Sequence, residues 1–300
     1  MERATNVPET FARSAARDQV NDYDRFAEAY AAENENSLVN AYYERPAMLA
    51  LAGDVAGRRI LDAGCGSGPL SAALRERGAV VTGIDTSAGM VALARQRLGD
   101  DVALHVADLR DPLPFDDGAF DDVVASLVLH YLEDWELPLA ELRRVLRPGG
   151  RLIASVDHPF VAYTIREPRP DYFATTSYSF NWTFNGQSVP MRFWRKPLHA
   201  MTDAFTTAGF RLRVISEPQP DPAARELFPA GFQDVSTRPN FLFFVVEVPP
   251  SATGSDAQPV PDQGRSPSQD QEAGSSAAVT GGTALLGAVG ERAEDALPGR

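Results

Sequence analysis

Residues 60–68 read Ile60-Leu61-Asp62-Ala63-Gly64-Cys65-Gly66-Ser67-Gly68, and the fold turns on how this stretch is read. A short apolar run, Arg59 to Ala63, enters three glycines at alternating positions. Pro69 to Arg77 follows with Leu70, Ala73 and Leu74 on one helical face. Strand, glycine turn and helix in that order form the setting of a ligand-binding loop, because glycine lets the backbone turn tightly and approach a ligand without a Cβ in the way. The spacing is G-x-G-x-G, so the x-x step of the dinucleotide fingerprint is missing. Asp62 stands just before the loop, where an acid suits a ligand ammonium better than a pyrophosphate.

Outward from the loop, strand and helix patterns alternate. Ala79 to Ile84 is a β-branched run, and Gly89 to Leu98 has a helical stripe of Met90, Leu93, Ala94 and Leu98. Val102 to Val106 alternates, Asp122 to Val128 reads as a buried strand, Leu137 to Leu146 as an amphipathic helix, and Arg151 to Val156 as another strand. This rhythm predicts an α/β fold, with a mostly parallel sheet and helices on both faces. Residues 160–196 break the rhythm with ten aromatics among prolines and glycines, and read as an insertion holding a hairpin. A helix from Pro197 to Ala208 and two strands, Phe210 to Ile215 and Asn240 to Val248, close the pattern. Tyr23, Phe26, Ala27 and Tyr30 share a helical face near the start. The expected division is 1–45 as N-terminal lid helices, 46–249 as the main domain, and 250–300 as a disordered tail. That tail is rich in Pro, Gly, Ser and Gln, and cannot bury enough apolar surface to offset its ordering entropy.

Composition narrows the class. The 300 residues are 44% hydrophobic and 23% charged, in the ordinary globular range. A net charge of −13 disfavours nucleic acid as a partner, since phosphate binding needs a basic footprint. The single cysteine, Cys65, allows neither an intrachain disulfide nor a cysteine metal cluster, and no metal is expected. The opening residues lack a signal-peptide shape, and no apolar run approaches a membrane span. A soluble cytoplasmic protein without membrane partners is the expectation; the oligomeric state is left open.

Two more acids sit at expected strand ends. Asp85 closes the second strand about twenty residues beyond the glycine loop, where a carboxylate accepts both ribose hydroxyls of an adenosine. That placement suits NAD and S-adenosylmethionine alike. Asp108, in Ala107-Asp108-Leu109, closes the third strand, where it can accept from an adenine amine. With Asp116 to Val128 and the turn Leu146-Arg147-Pro148-Gly149-Gly150, these segments together resemble the class I S-adenosylmethionine-dependent methyltransferase family. The likeness is to the branch of ubiquinone-biosynthesis-type and other small-molecule enzymes, over residues from about Tyr23 to Val248.

The resemblance implies a Rossmann-like seven-stranded sheet with a reversed last hairpin, and S-adenosyl-L-methionine bound at the carboxyl ends of the strands. It implies that Asp62, Gly64 and Gly66 line the methionine part and that Asp85 takes the ribose. Thr86 and Met90 would flank the adenine, and Asp108 with Leu109 would bracket it. Ser126 and Leu127 would lie beside the sulfonium, and Tyr23 would close over the cofactor from the lid. Plainer readings stand beside these: Met90 as helix core, Tyr23 as lid packing, Cys65 as a loop filler.

Methyl transfer needs alignment and exclusion of water, and a base only where the acceptor holds its proton. His158 and His130, at the ends of two central strands, are the expected catalytic pair facing the acceptor pocket, with a structural histidine as the alternative for each. The aromatic insertion is expected to roof that pocket, favouring a ring-containing or hydrophobic small-molecule acceptor. A cofactor-binding protein without catalysis and an NAD-dependent oxidoreductase are the competing functions.

Overall fold

In the computed structural model, which describes residues 21–250 apart from 167, 185 and 186, the expected alternation is present. In chain order it contains α1 (Ala27–Asn36), a π-helical turn (Asn40–Glu44), α2 (Arg45–Ala52), β1 (Arg59–Ala63), α3 (Pro69–Glu76), β2 (Val80–Asp85), α4 (Ala88–Leu98), β3 (Ala103–Val106) and β4 (Phe120–Ser126). Then come α5 (Glu136–Val145), β5 (Leu146–Asp157), α6 (Pro159–Thr164), β6 (Thr176–Phe184), β7 (Gln187–Arg195), α7 (Leu198–Thr207), β8 (Arg211–Ser216), α8 (Ala224–Leu227), α9 (Pro229–Thr237) and β9 (Phe241–Glu247). The tail expected to be disordered lies, from residue 251 on, outside the described residues, as do the first twenty residues of the expected lid segment.

Seven strands form one sheet in the order β3-β2-β1-β4-β5-β9-β8. The pairs from β3 to β5 are parallel, while β9 runs antiparallel to both β5 and β8. The chain is thus a Rossmann-like fold with a reversed final hairpin. Strand order switches between β1 and β4, which opens a crevice at the carboxyl ends of the strands.

The near-continuous apolar character of the central strands follows from burial on both faces, because successive side chains point to opposite sides. Leu61, Val123, Leu152 and Phe244 join α5 and α7 through Leu139, Leu142 and Phe205 on one face. Their neighbours Ile60, Val124, Ile153 and Phe243 meet Met48 of α2 and Leu74 of α3 on the other. The insertion is a separate two-stranded hairpin, β6–β7, with longer strands than expected. Its apolar side packs Met191, Phe193 and Tyr178 against Phe26, Tyr23 and Tyr30 of the N-terminal segment.

The opposite end of the sheet is fastened electrostatically. Asp122, fully buried near the start of β4, takes Arg58 Nη2 at 2.7 Å and Arg151 Nη2 at 2.7 Å. Register places Asp122 beside Ile60 of β1 and Arg151 of β5, so one carboxylate ties three strands. Removing one partner of a buried ion pair strands the others in low dielectric, at a cost of about 3–5 kcal/mol. Asp122→Ala should therefore lower unfolding stability by about 3 kcal/mol or more in urea denaturation. A loss below about 1 kcal/mol, the range of an exposed pair, would show that the clamp is dispensable.

Candidate functional site

The glycine loop leaves β1 at a point where no side chain fits. Gly64 has φ +81°, and a Cβ there would stand 2.3 Å from Val128 Cγ2. Gly66, with φ +54°, faces open space instead. The loop is pinned from below by the Gly64 and Cys65 amides, which both donate to the Ile84 carbonyl. Cys65 packs into the small cluster of Val91, Ala94 and Leu104, and burial pushes its thiol up, so it fills the loop without chemistry of its own.

Above the loop lies a cavity of about 990 Å³ at the carboxyl ends of β1, β2, β3 and β4. All eleven residues expected around the cofactor line it: Tyr23, Asp62, Gly64, Gly66, Asp85, Thr86, Met90, Asp108, Leu109, Ser126 and Leu127. Met90 and Leu109 are buried as well as lining, so the core and contact readings of Met90 coincide.

Three strand-end acids meet there. Asp62 accepts from Ser71 Oγ at 2.6 Å; burial, outweighing that bond, pushes its carboxyl up to about 7. Asp85 accepts from the Gly66 amide at 2.9 Å and from the Ser87 amide at 2.9 Å, and burial raises it too. Each of its oxygens keeps lone-pair capacity for a further donor. Asp108 is different, since its carboxylate is taken bidentately by Arg110, with Nη2 at 2.7 Å. Any adenine amine would share Asp108 with that guanidinium.

At the tip of β4, Leu127 holds φ +52°, a left-handed conformation costing about 1–3 kcal/mol in a non-glycine residue and typical of functional sites. Its amide donates to Ser155 Oγ at 2.9 Å, which holds the kink in place.

The cavity is closed on one side by the chain entering α1. Expected as one helical face, Tyr23, Phe26 and Tyr30 do cluster, with Tyr23 and Phe26 ring centroids 5.0 Å apart. The helix itself begins only at Ala27, because Phe26 is extended in φ at −143°. Asp24 fastens this segment to the start of α4: its Oδ1 accepts from Ser87 Oγ at 2.5 Å and the Gly89 amide at 2.7 Å. An acid at a helix N-terminus gains from unpaired amides and the helix dipole. Asn21 makes a second fastening, its amide exchanging two bonds with the Arg192 backbone at 2.8 and 2.7 Å. Tyr23 and Tyr131 hydroxyls meet at 2.5 Å across the cavity.

The two histidines are placed otherwise than expected, since neither lines the cavity. His130 is buried behind Tyr131, edge-on to Phe193 of the hairpin, with Nδ1 accepting from the Asp157 amide at 3.1 Å. Its Nε2 has no hydrogen-bond partner among the described residues. His158 meets Glu217 at 2.7 Å and caps α6 through Nδ1. Burial lowers both imidazoles, against the opposing pull of Asp157 and Glu217. The hairpin explains the displacement: its aromatics cover His130 and the N-terminal segment, and among its described residues Arg192 and Trp194 reach the cavity. The expected aromatic roof packs mainly on the N-terminal segment, with Trp194 lining the cavity.

Sequence reasoning missed Glu44. It lines the cavity although only 3% exposed, and its Oε1 accepts from Ser126 Oγ at 2.7 Å and Ser155 Oγ at 2.6 Å. Its position comes from the π-helical turn. Pro46 lacks an amide and its ring would crowd the Tyr42 carbonyl, which instead accepts from the Asp221 amide; the Arg45 amide reaches back five residues to Asn40. The widened turn swings Glu44 onto the sheet. Glu44-Arg45-Pro46 inside a helical stretch was the available signal.

Residues 61–154 match the family model described as a methyltransferase domain. A demethylmenaquinone methyltransferase of Clavibacter sepedonicus is 43% identical over 134 residues, covering 44% of this chain and 54% of that protein. A malonyl-[acyl-carrier protein] O-methyltransferase of Serratia marcescens is 42% identical over 110 residues, 36% of this chain and 42% of that one. The chain thus spans about half the length of the curated relatives it matches. The crystal structure of an S-adenosylmethionine-dependent methyltransferase from Mesorhizobium loti superimposes with a TM-score of 0.60 at 26% identity, over 71% of this chain and 99% of that one. Among the described residues, no helix is long and apolar enough to cross a membrane.

The Asp24 fastening has a direct consequence. Asp24→Ala should raise amide hydrogen exchange across residues 21–36 by about tenfold, the scale of one charge-assisted bond, while the central strands exchange as before. Unchanged protection of 21–36 would show that the hairpin alone holds this segment.

Proposed function

Starting from a chain that carries a class I S-adenosylmethionine-dependent methyltransferase domain, we propose that it binds S-adenosyl-L-methionine in the strand-tip cavity and transfers the methyl group to a small molecule. The observation that carries this reading is the convergence of Asp62, Asp85, Asp108 and the glycine loop on one cavity. Asp62 would meet the ammonium of the methionine part, with Gly66 giving it room. Asp85 would accept from the ribose, and Asp108, steadied by Arg110, from the adenine amine. Thr86, Met90 and Leu109 would enclose the base. Ser126 and Leu127 would border the sulfonium, and Tyr23 would cover it from residues 1–45 acting as the lid of a domain spanning 46–249. The cofactor, when bound, supplies the activated methyl group; the chain aligns the acceptor and excludes water.

The relatives' names give two different acceptors, a demethylmenaquinone and a malonyl-[acyl-carrier protein]. Their matches span 134 and 110 residues, about half of each relative. A small-molecule acceptor is favoured over nucleic acid by the net charge of −13 and by the acids around the cavity mouth, Asp22, Glu133 and Asp134.

Calorimetric titration with S-adenosylhomocysteine, with NAD as control, tests the cofactor. Binding of the first and none of the second is expected; a folded sample that binds neither would overturn the reading. Asp85→Ala should weaken S-adenosylhomocysteine by about 10- to 100-fold, the loss of one or two charge-assisted hydrogen bonds. Affinity should also fall with acid. Asp62 titrates at about 7 in the free protein, so below that pH it must shed a proton before meeting an ammonium. Linkage then weakens binding as pH drops through about 7, by up to about tenfold per unit, with proton release on binding. A flat profile between about pH 5 and 8 would remove Asp62 from the ammonium site.

A further inference from the structure

Once the strand-tip acids are assigned, Glu44 remains as a buried carboxylate on the cavity with no role. Glu44 stands beside Ser126, where β4 ends, and comes from a turn that no other part of the proposed cofactor site uses. Both serine hydroxyls are spent on its Oε1, and Oε2 has no hydrogen-bond partner among the described residues. Among the described residues no cation pairs with it, although the Arg45 charge nearby favours its ionised form. Arg45 turns away to Asn34, with Nη2 at 3.1 Å from Oδ1. The titratable groups near Glu44 are Tyr30, Arg45 and Asp62. Asn34 and Asn40 line the same cavity, with Asn34 Nδ2 donating to the Tyr30 hydroxyl at 3.3 Å, so polar groups stand beside the Tyr30 ring near Glu44. π-Helical turns of this kind are concentrated at functional sites.

We propose that Glu44, rather than either histidine, is the proton acceptor of the methyl transfer, and that the acceptor is a polar molecule presenting a hydroxyl or amine to its Oε2. This rests on the cofactor reading above. In the step, a lone pair of the acceptor oxygen or nitrogen attacks the methyl carbon and the carbon–sulfur bond breaks. Its electron pair stays on sulfur as neutral S-adenosylhomocysteine, and the O–H or N–H proton passes to the Glu44 carboxylate. Charge balances inside the cavity: a sulfonium and a carboxylate become a thioether and a carboxylic acid. In low dielectric that pairwise neutralisation avoids stranding either charge. An anionic acceptor group is disfavoured in the S-adenosylhomocysteine complex, where no sulfonium offsets the Glu44 carboxylate.

The sulfonium distinguishes S-adenosylmethionine from S-adenosylhomocysteine, whereas the ammonium seen by Asp62 is common to both. Proton release on binding each ligand is measured calorimetrically in buffers of different ionisation enthalpy, between about pH 5 and 8. The wild-type protein should release more protons with S-adenosylmethionine, by up to about one, and Glu44→Gln should abolish the difference while keeping S-adenosylhomocysteine affinity within about twofold. Glu44→Met serves if the glutamine variant fails to fold. Saturation-transfer NMR on the S-adenosylhomocysteine complex reads the acceptor class, with ethanolamine and acetate as probes. Ethanolamine signals lost in Glu44→Gln, and silent acetate, are expected. Equal proton release in the wild type, a difference surviving in Glu44→Gln, silent ethanolamine, or acetate binding as well would each overturn the proposal. Failure of S-adenosylhomocysteine to bind the wild type would instead defeat the cofactor reading.

Discussion

The constraint on which this structure turns is a concentration of buried carboxylates with no basic partner. Asp62, Asp85 and Glu44 all border one cavity, and among the described residues none of them lies within ion-pair distance of an arginine, lysine or histidine. Burial raises the affinity of each for its proton. Isolated buried charge is expensive, and a protein that keeps it at the open end of a sheet stands to gain when a cation arrives. The proposed ligand brings two positive centres, an ammonium and a sulfonium. The contrast with Asp122 is instructive: that carboxylate, at the closed end of the same sheet, is neutralised by two arginines and serves only to hold strands together.

Everything around the cavity follows from keeping those groups in place. The strand-order switch between β1 and β4 opens the crevice, and the three-glycine turn allows the backbone to run along its floor. The N-terminal segment is attached twice, at Asp24 to α4 and at Asn21 to β7. The aromatic hairpin braces it, with Tyr30 stacked on Trp182 at 5.8 Å. Fastenings made of a few side-chain hydrogen bonds belong to the low-stability end of a fold, where segments open without global unfolding.

Much of this was legible in the sequence where local pattern and global structure agree. The β1–glycine–α3 unit, the strand-end acids and the two closing strands were read within a residue or two, because periodicity and glycine placement there report directly on burial and turn geometry, while the reversal of the final hairpin came from the family resemblance. The histidines misled because a strand-end position says nothing of which way a ring turns. His130 is covered by Phe193, more than sixty residues away, and only tertiary packing fixes that. The aromatic run of 160–196 gave the hairpin but not its partner, since an apolar face does not name what it will pack against. Glu44 was hidden for the opposite reason: a local distortion, set by Pro46, turned an ordinary-looking helical acid inward.

The most direct test of the central claim is a crystal structure of the protein with S-adenosylhomocysteine. The account predicts the ribose hydroxyls on Asp85, the ammonium at Asp62, and the thioether sulfur between Leu127 and the Glu44 carboxyl. Density for the ligand elsewhere, or in this cavity with its ribose away from Asp85 and its sulfur remote from Glu44, would contradict it.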